Sequence, residues 1–175
     1  MLQIKAFTLN GKSPAEVFFT LIGIIGAITV LFGFSQPFAQ IYYIVGASLL
    51  LFTALYFKLV YFIALELILI AGHGAILLGI GPIQQIILPS LLCLQLFVYY
   101  LLSNELKNIF RVIGVIGIAL VSIGLSLTHI WVSLFGALSV AIYAGYEVHL
   151  GKSAAAIWFF LNLIFVLITG FLIFY

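Results

Sequence analysis

The chain has 175 residues, is 66% hydrophobic and only 6% charged, and carries a formal net charge of +2. So little polar side-chain surface excludes a water-soluble domain of this size. A charge balance this small also gives no footing for a nucleic-acid partner. What remains is a polytopic membrane protein with almost no mass outside the bilayer.

Taken in order, residues 1–13 form a mixed N-terminal tail, MLQIKAFTLNGKS, without the continuous apolar core of a cleavable signal peptide. Ser13-Pro14-Ala15-Glu16 reads as a helix start, with Ser13 capping, Pro14 in the first turn and Glu16 reaching back. Apolar runs then predict helices over 14–34, 38–57, 59–79, 83–102, 109–127, 130–148 and 154–175. Pro89 is expected to kink the fourth. The single Cys93 lies inside that helix, reads as a small buried hydrophobe and allows no disulfide within the chain.

The basic residues test the count of seven spans. Lys5 and Lys12 precede helix 1, Lys58 follows helix 2, Lys107 and Arg111 follow helix 4, and Lys152 follows helix 6. Seven spans bring all six cations to one side, which the positive-inside rule makes cytoplasmic. The expected location is therefore the cell inner (plasma) membrane, multi-pass, with the N-terminus cytoplasmic and the C-terminus outside.

The two ends of the chain also resemble each other. Ile22-Gly23-Ile24-Ile25-Gly26 matches Ile113-Gly114-Val115-Ile116-Gly117, and in the same register Gly33 and Ser35 match Gly124 and Ser126. One residue out of step, Gly46 and Tyr56 match Gly136 and Tyr146. In the third helix of each half, Glu66-Leu67-Ile68 matches Asn162-Leu163-Ile164, and Gly74 matches Gly170. The expected fold is an all-α integral membrane protein of about seven transmembrane helices in a 3+1+3 parallel-repeat arrangement. Its expected parts are the tail at 1–13, repeat 1 at 14–81, linker helix 4 at 82–107 and repeat 2 at 108–175.

Helix 3 carries the plainest chemistry. Glu66 and His73 are seven residues apart, so on a helix they share nearly one face, about 10 Å apart along the axis. Ionisable groups at such depth normally face a bundle interior or a watery cavity. The repeat sets Asn162 opposite Glu66. Gln95 in helix 4 is a further polar candidate, and Trp158 offers a face for a planar ligand. Trp131 falls at an interface, where tryptophan is usual without a ligand. Each candidate has a structural role open to it: Asn162 as interhelical glue, His73 as a partner for a neighbouring group, and the glycines as packing contacts. No phosphate-cradling loop, metal-ligand spacing or nucleophile triad stands out, so neither a cofactor nor a metal nor enzymatic activity is expected.

Ser13-Pro14-Ala15-Glu16 before helix 1, Ile130-Trp131 opening helix 6, then Gly136, Tyr143 and Asn162, together resemble the PnuC family of bacterial vitamin transporters. That family shares its 3+1+3 plan with the SWEET sugar transporters. The resemblance implies facilitated diffusion of a small, largely neutral metabolite, such as the B-vitamin nucleoside nicotinamide riboside, drawn inward by cytosolic phosphorylation. The chain departs from the family where Glu66 replaces a glutamine and where Gly72-His73-Gly74 stands in place of an aromatic cluster. The expected substrate-binding residues are Glu66, Asn162, His73, Gln95 and Trp158. The expected partners are a small-molecule substrate and the lipid bilayer, with no nucleic acid and with homo-oligomerisation open. The alternative is an integral subunit of a larger, proton-conducting complex without transport of its own.

Overall fold

A computed structural model describes residues 13–174. The expected tail, with Lys5 and Lys12, lies outside the described residues except for Ser13, and so does the final Tyr175. Seven α-helices follow one another: α1 (Pro14–Gly33), α2 (Ala39–Tyr56), α3 (Val60–Leu77), α4 (Pro82–Leu102), α5 (Ile109–Ser126), α6 (Ile130–His149) and α7 (Ala156–Phe174). Short 3-10 turns, Glu105–Lys107 and Ser153–Ala155, lead into α5 and α7, and no strand is present among the described residues. Six of the helices are long and apolar enough to cross a membrane, and the apolar run of α5, Ile109–Leu125, is slightly shorter. This is an all-α, multi-pass membrane architecture.

Local chemistry sets the helix ends. At α1 the expected capping box is present: Ser13 Oγ accepts from the Glu16 N–H, and Glu16 Oε2 accepts from the Ser13 N–H. Asn108 caps α5 by accepting from the Phe110 N–H. Four helices stop in the same way. Lys58, Gly79, Thr128 and Gly151 have φ of 54°, 64°, 52° and 88°. The next residue's N–H then reaches back five positions: Leu59 to Ala54, Ile80 to Ala75, His129 to Gly124 and Lys152 to Glu147. This left-handed closure satisfies late helical carbonyls and turns the chain within a few residues. The antiparallel neighbours therefore need almost no loop. Helix α4 continues through Pro89 as a single helix.

Each helix packs on the next in sequence, and a thinner α1–α7 contact completes the ring. The most extensive interfaces are α1–α2 with α5–α6, then α2–α3 with α6–α7. The matched halves repeat individual contacts as well. A methyl placed on Gly26 would meet Leu49 and Leu50; one on Gly117 would meet Ser139 and Val140 at the equivalent positions. Gly46 lies against Val30, and Gly136 against Val121. Phe19 stacks on Tyr56 with centroids 4.2 Å apart, and Phe110 stacks on Tyr146 at 4.4 Å. The glycines thus act as close-approach points between helix backbones, where packing replaces the hydrophobic drive that lipid cannot supply. Ser126 was also part of the sequence match; its side chain lies outside what is described.

The buried core centres on α3. Tyr61, Phe62, Leu65, Glu66 and Ile68 are all at most 3% exposed. Tyr61 Oη donates to the Gly114 carbonyl of α5 at 2.8 Å, Tyr61 packs on Tyr143 of α6, and Phe62 stacks on Trp158 of α7. Much of the outer surface is apolar, as a lipid-facing ring requires: Phe18, Ile28, Leu102 and Leu167 are each more than half exposed.

Candidate functional site

Glu66 is 1% exposed in the middle of the bundle. Trp158 Nε1 donates to its Oε1 at 2.7 Å, and its Oε2 is a buried oxygen with no hydrogen-bond partner. One turn further along α7, Asn162 Nδ2 donates to the Trp158 carbonyl at 2.9 Å. That amide is thereby oriented, with its Oδ1 left as an acceptor and its second N–H as a donor. Trp158 is fully buried, with its indole stacked on Phe62 at 4.4 Å and an interplanar angle of 24°. Phe62 and Trp158 occupy matching positions in the third helix of each half, in the same register as Glu66 and Asn162.

Glu66, Trp158 and Asn162 line a cavity of about 70 Å³. Its walls come in matched pairs: Val30 with Val121, Tyr43 with Ser133, Ala47 with Ala137, Leu65 with Leu161, Glu66 with Asn162, and Leu69 with Phe165. The cavity therefore lies between the two sets of three helices. His73 joins it at the other end, 5% exposed. Its Nδ1–H donates to Gln40 Oε1 at 2.6 Å, which leaves Nε2 as an acceptor. Tyr43 packs against the imidazole with ring centroids 4.7 Å apart. Thr169 occupies the position matching His73; its buried hydroxyl has no hydrogen-bond partner.

Four of the five expected residues, Glu66, His73, Trp158 and Asn162, are thus brought together. Gln95 stands apart: it is exposed on α4 and lines a separate outward groove with Ala64, Leu67 and Tyr99. Sequence reading did not single out Gln40, Tyr43, Phe62 or Thr169. The repeat register alone could have indicated two of them, since Phe62 matches Trp158 and Thr169 matches His73.

A second cavity, about 110 Å³, opens at the end that carries the charged residues. Lys58, Arg111 and Lys152 border it, together with Glu105 and Glu147. Arg111 pairs with Glu105, and Lys152 with the buried Glu147. Tyr143 Oη donates to Glu147 Oε1 at 2.9 Å. Tyr61, Phe62 and Tyr143 line this vestibule, while Trp158, stacked on Phe62, lines the central cavity. An aromatic layer therefore separates the two. A larger concavity, about 580 Å³, is an open groove between α1 and α7 lined mostly by aliphatic side chains.

No group of three or more histidine, cysteine or acidic side chains that could hold a metal occurs among the described residues. The chemistry of the central site is hydrogen bonding and ring contact in an apolar shell. In the comparisons with known proteins, no family model, no curated protein and no solved structure matches the chain.

Proposed function

We propose that this protein is a membrane transporter for a small, largely neutral metabolite, working by facilitated diffusion with alternating access. A B-vitamin nucleoside such as nicotinamide riboside is the first substrate to try, on the PnuC-like pattern of Ser13-Pro14-Ala15-Glu16, Ile130-Trp131 and Asn162. The observation that carries the reading is the central cavity, bounded by sequence-matched residues of two three-helix sets, with Glu66 and Asn162 both in its wall. Transporters built from repeats commonly bind their substrate at the repeat interface near the midplane.

The roles follow from position. Glu66 and Asn162 bind polar groups of the substrate, Trp158 forms a wall and holds Glu66 in place, and His73 with Gln40 forms the opposite end. The aromatic layer of Tyr61, Phe62, Tyr143 and Trp158 is the barrier toward the cationic end, which the positive-inside rule puts in the cytoplasm. The cavity is small in this conformation, so entry requires the two sets of helices to part. Alternating access is then a rocking of one set against the other, with the glycine contacts as pivots.

Uptake of labelled nicotinamide riboside into proteoliposomes, comparing wild type with Asn162→Ala, tests the reading. Saturable uptake that falls at least fivefold in the variant supports it. If folded wild-type protein takes up neither this compound nor any of a panel of vitamins and sugars, the transporter reading fails.

A further inference from the structure

The central cavity is unbalanced in its hydrogen-bonding chemistry. Glu66 Oε2 has no donor. Asn162 spends one N–H on the Trp158 carbonyl and keeps its oxygen and a second N–H free. His73 spends its N–H on Gln40 and leaves a ring nitrogen free. Trp158 spends its only N–H on Glu66 Oε1. Against these acceptors the lining offers the second N–H of Asn162 and two hydroxyls, Tyr43 and Ser133, and a hydroxyl can equally accept. A buried acceptor without a donor is costly, and more so for a carboxylate at membrane depth.

We infer that the group seated against Glu66 and Asn162 is a primary amine, bound as its ammonium. This rests on the transporter reading for its biological setting and departs from it in the substrate, since nicotinamide riboside carries no primary amine. An ammonium brings three N–H donors, one for each of the three acceptors Glu66 Oε2, Asn162 Oδ1 and His73 Nε2. It gives Glu66 Oε2 the missing charge-assisted hydrogen bond, and it supplies the opposite charge that a carboxylate removed from water requires. A sugar hydroxyl satisfies one acceptor at most and brings no charge. The apolar remainder of the wall, Val30, Leu65, Leu69, Val121 and Phe165, suits a short hydrocarbon body behind the amine.

The test uses the full chain in detergent at pH 7. The sequence has two tryptophans, Trp131 and Trp158, so Trp131→Phe leaves the indole that donates to Glu66 as the sole reporter. Propylamine, 1-propanol and propionate, chosen as small ligands for a cavity of about 70 Å³, are titrated against its fluorescence. The expected result is a saturable change with propylamine at a concentration at least tenfold lower than with 1-propanol, and none with propionate. Glu66→Gln is expected to reduce that preference to less than threefold. Equal response to amine and alcohol in the Trp131→Phe protein overturns the inference without any further variant, and so does a preference that survives Glu66→Gln. If proteoliposomes take up an amine-free metabolite while propylamine is ignored, the ammonium assignment falls and the transporter reading stands. Absence of both binding and uptake defeats both.

Discussion

Trp158 donates its indole N–H to Glu66 Oε1 at 2.7 Å and lays the same ring on Phe62, one turn before that carboxylate on α3. A single α7 side chain thus orients the buried acid and closes the barrier beneath it. Trp158→Phe is expected to keep the stack and lose the hydrogen bond, leaving both carboxylate oxygens unpaired. The cost is about 2–3 kcal/mol of stability, read as a lower unfolding midpoint in detergent. Adding Glu66→Leu removes the stranded carboxylate, so the double variant should be more stable than Trp158→Phe alone. Equal destabilisation by both would mean that the contact is packing only.

The glycines separate into two groups with opposite expectations. A methyl on Gly136 falls 2.4 Å from the Val121 amide nitrogen, and one on Gly46 falls 2.5 Å from a Val30 methyl and 2.8 Å from the Gly26 carbonyl oxygen. Backbone cannot yield cheaply, so Gly136→Ala and Gly46→Ala should each destabilise by about 2 kcal/mol or more. Gly74 and Gly170 have nothing within 4 Å of the added methyl. Alanine there should be neutral or stabilising by up to about 1 kcal/mol through helix propensity. Thermal unfolding of the four variants in one detergent checks the ordering.

Orientation is open to direct labelling. In a Cys93→Ala background, Ser103→Cys sits in the exposed turn at the cationic end, and His129→Cys in the exposed turn at the opposite end. A membrane-impermeant maleimide added to intact cells should react with His129→Cys and spare Ser103→Cys until the membrane is opened. The reverse pattern would invert the topology.

Gln95 provides a control for the site. It points into an outward groove rather than the central cavity, so Gln95→Leu should change uptake by less than twofold. A loss as large as that of Asn162→Ala would move the path to the α3–α4 face.

Helix positions were legible from hydropathy and turn residues because length, caps and breaks are local properties. The predicted bounds of α4, α5 and α6 differ from the observed ones by at most one residue at either end. The facing of each helix was less legible. Helix α3 is apolar but for Glu66 and His73, and α4 is apolar but for Gln84, Gln85, Ser90 and Gln95. Without a polar stripe, periodicity does not say which side meets lipid, and Gln95 was misplaced toward the path for that reason. Glu66 and Asn162 were legible as a pair because the repeat supplied a second coordinate that hydropathy lacks. The Gln40–His73 contact joins residues 33 positions apart and has no counterpart in the other half, so no pattern in the sequence announced it. Lys58 and Thr128, standing where glycine would normally close a helix, concealed two of the four left-handed stops.

The central claim is that the cavity between the two sets of helices opens to either side of the membrane. Ala137 lines that cavity and is 2% exposed, so Ala137→Cys in the Cys93→Ala background reports access to it. The account predicts slow labelling by an impermeant maleimide from each side separately, with Phe62→Ala accelerating the reaction at least tenfold from the cationic side alone. Labelling from neither side, or from one side only regardless of Phe62, would contradict it.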